Sequence, residues 1–174
     1  DGSVVVENGE IIAVGPTDQI LKTYPDATHE NFEKAVLMPG LVNPHTQLEL
    51  AGFQPHEKQF VPWLMANWEH RQRLTPAERR SAFADGVKQL IRSGTTCIGD
   101  TGNYAGLVPT VRNLPIRAVL FPEIFSSSEA GDQYEAAFSQ VDEIRSGDSR
   151  IEAGIAPYAP YTLSRNLLKI IAQQ

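Results

Sequence analysis

The stretch "TPAERRSAFADGVKQLIRSGTTCIGDTG", residues 75–102, contains the unit that decides the fold. It begins with Thr-Pro-Ala-Glu, which predicts a helix N-terminus with Thr75 as the N-cap, a proline in the first turn and Glu78 as the capping partner. Apolar residues then recur at helical spacing as far as Gly94, which predicts the end of the helix. A β-branched strand follows at once and leads to Asp100. Helices that alternate with apolar strands are typical of a parallel sheet covered by helices.

The same alternation extends in both directions from this stretch. Upstream lie a predicted strand that runs into a polar end, "LVNPHTQLEL" (41–50), and a predicted helix at 59–70. Downstream lie a predicted strand at 116–125, a helix at 132–147, a strand that runs into a loop at 151–164 and a last helix capped by Ser164. Four strand–helix units predict an α/β fold. They favour either a small doubly wound sheet or half of an eight-stranded barrel, and in both the carboxyl ends of the strands form the site.

Residues 1–38 have a different pattern. Two β-rich segments flank Asn8-Gly9, a strong signal for a tight hairpin turn, and a short helix is predicted after Pro16. "AVLM", residues 35–38, predicts one more short strand. We therefore expect a small β unit ahead of the strand–helix units.

Composition limits the classes of partner. The 174 residues have a formal net charge of −6, which argues against nucleic acid or an anionic membrane surface as a partner. No apolar run approaches the roughly 18 residues of a membrane span. A single cysteine, Cys97, excludes an internal disulfide framework and indicates a reducing, cytoplasmic location.

Two polar side chains lie toward the polar end of the predicted strand at residues 41–50. His45 and Gln47 are one residue apart, so a strand would project both to the same side. A His-x-His pair at such a place could hold Zn²⁺ or Fe²⁺, whereas an amide oxygen is a poor ligand for either ion. From the residues alone, His45 and Gln47 are either hydrogen-bonding groups, the simpler interpretation, or the remainder of a metal site.

Other strand ends carry groups with open interpretations. Asp100 is either a turn-forming or a catalytic residue, and Glu123 is either a paired structural carboxylate or part of a site. Trp63 on the predicted helix at 59–70 is a core or lid residue. Glu49 is expected at the surface or as a helix cap.

Six segments, taken together, resemble the amidohydrolase superfamily, in its chlorohydrolase and nucleoside-deaminase-like branch, with features of the aminodeoxyfutalosine deaminase-like members. They occur in that family's order and cover nearly the whole chain: "VENGEIIAVGP", "LMPGLVNPHTQLEL", "FVPWL", "GVKQLIRSGTTCIGD", "RAVLFPEIF" and "GIAPYAPYTLS". The resemblance implies that residues 1–38 are part of a composite β-sandwich. It further implies that residues 39–174 are the first four units of a (β/α)8 TIM-type barrel.

The resemblance also implies a site. His45 falls on the first metal-ligand position of the family's His-x-His motif, and Gln47 falls on the second, where it departs from the motif. Trp63 and Tyr158 fall where the family places groups near the substrate, although Tyr158 stands where a histidine is usual. We add Glu123 as a third candidate for substrate binding because it lies at a strand end.

The implied function is a hydrolase or deaminase with one divalent metal, Zn or Fe, that cleaves C–N bonds other than peptide bonds in a heteroaromatic small molecule. The catalytic residues are not assigned, because the family's later ligands and proton-transfer groups would follow residue 174. We therefore expect that the remainder of a barrel, or a second subunit, completes the site. The alternative is a catalytically impaired paralogue or barrel fragment that serves as a binding or structural module.

Overall fold

The computed structural model describes residues 1–125, 132–147 and 150–173. The chain divides into two compact units, Asp1–Met38 and Pro39–Gln174. In the first unit, β1 (Gly2–Glu7) and β2 (Glu10–Pro16) form an antiparallel hairpin, and α1 (Thr17–Thr23) follows. Asn8 and Gly9 both have positive φ angles, 52° and 83°, which is the conformation that a tight hairpin turn requires.

The strand predicted for residues 35–38 does not form, and that prediction was wrong. Val36, Leu37 and Met38 are 87%, 73% and 62% exposed. A strand needs a neighbouring backbone to pair with, and within the described residues no strand pairs with this segment.

The second unit contains a parallel sheet in the order β3-β4-β5-β6. A short further strand, β7, pairs with the end of β5. The strands are β3 (Leu41–Thr46), β4 (Thr95–Gly102), β5 (Arg117–Ile124), β6 (Ile151–Ala153) and β7 (Ala156–Pro157). Each runs in the same direction, so all the carboxyl ends meet at one edge, as the alternation of strands and helices predicted.

Helices connect these strands. They are α2 (Phe60–Arg73), α3 (Pro76–Arg92), α4 (Val108–Val111), α5 (Asp132–Arg145) and α6 (Arg165–Ile171). The N-terminus of α3 has the predicted capping box: Thr75 Oγ1 accepts from Glu78 N, and the Glu78 carboxylate accepts from Thr75 N at 2.9 Å. Ser164 caps α6 by accepting from Leu167 N at 3.1 Å. Among the described residues, no helix is long and apolar enough to cross a membrane.

The core lies between the sheet and the helices. Its larger cluster is built mainly on the strands and on α3 and α5, and includes Phe83, Ile98, Leu120, Val141 and Ile144. By contrast, β3 leaves its apolar side chains partly uncovered, with Leu41 47% and Val42 65% exposed. In the described sheet β3 is an edge strand, and its amino-terminal half carries exposed apolar surface.

Candidate active site

A cleft of about 270 Å³ opens at the edge where the carboxyl ends of the strands meet. Its wall contains Gln47, which directly follows β3, Phe125, which directly follows β5, and Tyr158, which directly follows β7. The opposite wall is one face of α2. That helix contributes Trp63, Leu64, Met65, Asn67, Trp68 and Arg71.

The aromatic side chains of this cleft contact one another. The ring centroids of Trp68 and Phe125 are 4.7 Å apart, and those of Phe125 and Tyr158 are 4.9 Å apart in an edge-on arrangement. Trp63 is 37% exposed, and buried Asn67 donates from Nδ2 to the Trp63 carbonyl oxygen at 2.8 Å. Such an array presents apolar aromatic surface to the cleft.

Four charged side chains form an ion-pair network, and one of them, Arg71, lines the cleft. Glu49 lies between two arginines: its Oε1 is 3.2 Å from Arg71 Nε, and its Oε2 is 3.5 Å from Arg79 Nη1. Arg71 then reaches the end of β5, where its Nη1 is 2.8 Å from Glu123 Oε2. The ion-pair network, defined as Arg79, Glu49, Arg71 and Glu123, therefore joins α3, the turn after β3, α2 and β5.

Burial shapes the electrostatics of this network. The Glu49 side chain is 3% exposed, and the two arginines are each 17% exposed. Desolvation raises the pKa of Glu49 above its usual value, although Arg71 and Arg79 oppose this shift. For Arg71, burial acts to lower the pKa, but the charges of Glu123 and Glu49 outweigh burial and raise it. The expectation that Glu49 lies at the surface or caps a helix was wrong, because its two arginine partners stabilise a buried carboxylate.

Gln47 extends the network into the cleft. Its Nε2 donates to Glu123 Oε1 at 3.4 Å, while Arg71 Nη1 donates to the other oxygen of the same carboxylate. Both oxygens of Glu123 are therefore engaged. The sequence left Glu123 as either a paired structural carboxylate or part of a site. In the structure it is paired with Arg71 and Gln47, and both of these partners line the cleft.

Tyr158 is half-buried among its neighbours in the cleft. Burial, together with the negative charge of Glu123, raises the pKa of its phenol above the ordinary value, although Arg71 opposes this shift. The hydroxyl consequently stays protonated at neutral pH and can serve as a hydrogen-bond donor or acceptor.

Asp100 fixes the backbone that carries Gln47. This carboxylate is 1% exposed and accepts from Thr46 Oγ1 at 2.7 Å, from Leu48 N at 2.9 Å and from Tyr104 Oη at 2.8 Å. Burial raises its pKa to about 6, despite those hydrogen bonds. Asp100 accepts hydrogen bonds from residues on both sides of Gln47, so it stabilises the turn that carries Gln47. Asp100 itself does not line the cleft.

His45 and Gln47 have different surroundings. His45 is exposed, does not line the cleft, and donates from its backbone N to Asn43 Oδ1 at 3.3 Å. The amide of Gln47 is directed to Glu123 instead. Within residues 1–125, 132–147 and 150–173, no group of three His, Cys, Asp or Glu side chains is placed to hold a metal ion. Of the two donors that the sequence proposed, the His45 imidazole is exposed and the Gln47 amide is engaged with Glu123, so within the described residues His45 is the candidate ligand that is left.

Comparison with known proteins places this geometry in a family. The model of the amidohydrolase family matches residues 36–174, and the model of the imidazolonepropionase-like composite domain of bacteria matches residues 4–27. An aminodeoxyfutalosine deaminase from a Nitratiruptor species is 28% identical over 165 residues, which is 92% of this chain and 41% of the relative. A 5-methylthioadenosine/S-adenosylhomocysteine deaminase from Thermodesulfovibrio yellowstonii is 29% identical over 97% of this chain and 41% of its own length.

Solved structures show the same fold. The Helicobacter pylori aminofutalosine deaminase in complex with methylthio-coformycin matches 99% of this chain and 43% of its own with a TM-score of 0.87 at 23% identity. An adenosine deaminase from Xanthomonas campestris with bound zinc matches 99% of this chain and 42% of its own with a TM-score of 0.75 at 26% identity. These likenesses confirm the predicted half of a TIM-type barrel preceded by a small β unit. The chain spans about two-fifths of the length of the relatives that it matches. With the family model covering residues 36–174, the chain belongs to the amidohydrolase family, as its ordered motifs predicted.

Proposed function

We propose that this chain provides the ring-binding part of a deaminase-type hydrolase, which acts on a C–N bond other than a peptide bond in a heteroaromatic small molecule. The observation that carries the proposal is the cleft itself: flat aromatic walls lie beside a hydrogen-bonding group at the carboxyl edge of a parallel sheet. The relatives reported above, which are nucleoside deaminases, agree with this class of substrate.

The binding roles follow from the contacts. Trp63 and Tyr158 pack against the faces of a planar ring, since both line the cleft and both retain exposed surface. Glu123 acts through its partners: its carboxylate orients the Gln47 amide and the Arg71 guanidinium toward the ring edge. Together these groups bind and orient the substrate, and they exclude water from one of its faces.

Family relatives such as the zinc-bound Xanthomonas campestris enzyme support a divalent metal, Zn or Fe, as part of this proposal. In the described residues only the His45 position is suited to ligation, because the Gln47 amide is neutral and already bound to Glu123. His45 is therefore the candidate ligand among the described residues, and no step of substrate binding is assigned to the metal.

The remaining parts of the proposal concern assembly and location. Residues 1–38 would belong to a composite β-sandwich, which the match of residues 4–27 to a composite-domain model supports. The rest of a barrel, or a second subunit, would cover the exposed apolar residues of β3, Leu41 and Val42. The single cysteine, Cys97, supports a cytoplasmic location.

A second candidate function is a binding module without catalysis. The observation that favours it is the Gln47 amide, which is engaged with Glu123. By the resemblance to the family, Gln47 falls on the second position of the His-x-His motif. Loss of a ligand weakens metal affinity severely, since even changes to the groups behind the ligands cost about 10- to 100-fold.

One set of measurements on the purified full-length protein separates the two candidates. Metal content is determined by elemental analysis, deamination of adenosine is followed by absorbance, and adenosine binding by titration calorimetry. Bound metal with turnover supports the hydrolase, whereas binding without metal or turnover supports the module. Absence of both binding and turnover contradicts both.

A pair of variants tests the cleft itself. Trp63→Ala is expected to weaken adenosine binding about 10-fold or more, because stacking of a base on an aromatic side chain contributes about 1–3 kcal/mol. Val61→Ala is the matched control, since Val61 lies on the same helix, is 64% exposed and does not line the cleft. Equal affinities of the two variants would place the ring elsewhere.

A further inference from the structure

Arg71 has one nitrogen left for a ligand. Its Nε is paired with Glu49 and its Nη1 donates to Glu123. The remaining nitrogen, Nη2, has no hydrogen-bond partner among the described residues and is not fully buried. The Arg71 side chain lines the cleft. The guanidinium is therefore fixed on two sides and offers its remaining N–H groups as hydrogen-bond donors.

Gln47 offers the complementary group. Because its Nε2 donates to Glu123, its carbonyl oxygen, Oε1, is left without a partner among the described residues, and the half-buried side chain lines the same cleft. Glu123 bonds to both Arg71 and Gln47, so it holds the donor and the acceptor as neighbours. Side chains fixed in this way retain their directions when a ligand arrives, which favours specificity.

The charges of the ion-pair network, which reaches the cleft through Arg71, are balanced. The ion-pair network contains two carboxylates and two guanidinium groups, all of them at most 17% exposed. An anion drawn to Arg71 would also meet Glu123 and Glu49, and a cation drawn to Glu123 would meet Arg71. A neutral ligand avoids both penalties, so the network favours an uncharged ring.

We propose that Arg71 and Gln47 determine the ring specificity of the cleft. Arg71 Nη2 donates to a ring nitrogen of a neutral planar ligand, and Gln47 Oε1 accepts from an amino group on the adjacent carbon. This inference rests on the proposed function, ring binding by the aromatic residues of the cleft. It adds which edge of the ring is recognised: a ring nitrogen next to an amino group. In this chain the residue at the second imidazole position of the motif thus contacts the ligand directly.

Two probes separate the contributions of the two residues. Adenine carries a ring nitrogen beside an amino group, whereas purine carries the ring nitrogen without the amino group. Wild-type full-length protein is expected to bind adenine about 10-fold more tightly than purine. A tenfold difference in affinity corresponds to the net contribution of about one hydrogen bond. Titration calorimetry measures both affinities.

Variants then give a pattern that a merely structural role would not produce. Gln47→Leu is expected to reduce adenine affinity to that of purine and to leave purine affinity unchanged. Arg71→Lys is expected to weaken both probes by a similar factor, about 10- to 100-fold, because lysine keeps the charge but loses the fork of donors. Arg73→Gln is the matched control, since Arg73 lies on the same helix with its side chain 79% exposed, and it should change neither affinity.

The outcomes are distinguishable. Gln47→Leu leaves all ion pairs of the network in place, so it keeps the test decisive even where Arg71 variants fold poorly. If wild type binds both probes equally well, or if Gln47→Leu weakens both alike, the specificity inference is overturned and ring binding stands. If wild type binds neither probe, the ring-binding function is overturned together with the inference.

Discussion

Replacement of Glu49 by glutamine is the sharpest test of the ion-pair network. Glutamine has nearly the same shape, so Glu49→Gln creates no cavity and the change is electrostatic. The carboxylate lies 3.2 Å from Arg71 and 3.5 Å from Arg79, with 3% of its side chain exposed. Removal of one partner from a fully buried ion pair costs about 3–5 kcal/mol. Both arginines are 17% exposed, and Arg71 keeps Glu123 at 2.8 Å, so we expect a smaller loss of about 1–3 kcal/mol.

Urea unfolding of the full-length protein measures this loss as a fall in the transition midpoint at constant slope. Glu69→Gln is the matched control: Glu69 also pairs with an arginine, Arg73, at 3.0 Å, but the two side chains are 56% and 79% exposed. Exposed pairs of this kind contribute about 0.5 kcal/mol or less. If Glu49→Gln were no more destabilising than Glu69→Gln, the buried network would not stabilise the fold and the reasoning would be refuted.

Three further changes test the fold around the site. Thr75→Ala removes the side-chain cap of α3 and should lower the free energy of unfolding by about 1 kcal/mol in urea titrations. In Gly99→Ala the new Cβ would lie 2.5 Å from the Pro44 carbonyl oxygen, so β3 and β4 must separate, and the free energy of unfolding should fall by about 1–3 kcal/mol or more. Gly102→Ala, on the same strand, is the control, because its Cβ meets nothing closer than 3.5 Å and the loss should be clearly smaller. Equal losses would contradict the steric argument. Burial raises the pKa of Asp100 from 3.8 to about 6, so its contribution to stability is fully present below pH 3.8 and is lost as the pH rises through about 6. Asp100→Asn should therefore flatten the pH dependence of urea unfolding between pH 4 and pH 7, and an unchanged slope would contradict the burial argument.

Local sequence signals predicted the elements of the second unit well. Thr75 and Ser164 both cap helices, as their positions ahead of periodic apolar segments indicated. These signals act within one turn of chain, so they do not depend on distant contacts. Residues 35–38 illustrate the converse: an apolar run becomes a strand only where a neighbouring backbone pairs with it, which no local pattern can state.

For the site, the rule that carboxyl ends of parallel strands converge placed Gln47, Glu123 and Tyr158 at one edge. The sequence interpretation missed the ion-pair network because its members come from four separate elements. One signal was present: Trp63, Asn67 and Arg71 recur every four residues, which places them on one face of α2. A polar residue and an arginine in line with an exposed tryptophan indicate a face directed at a ligand site rather than at the core.

The hydrogen bonds of Glu123 limit which side chains suit position 47. Arg71 donates to one oxygen of Glu123 and leaves the other to accept from position 47, so the carboxylate selects a side chain there that carries an N–H. Glutamine and histidine both satisfy this requirement. An imidazole would donate one N–H to Glu123 and keep its second nitrogen for a metal, which is how carboxylates commonly orient metal-binding histidines. An amide has no second nitrogen, and its remaining atom is a neutral oxygen that suits a donor on a ligand. The contacts of Glu123 are thus compatible with either an imidazole or an amide at position 47.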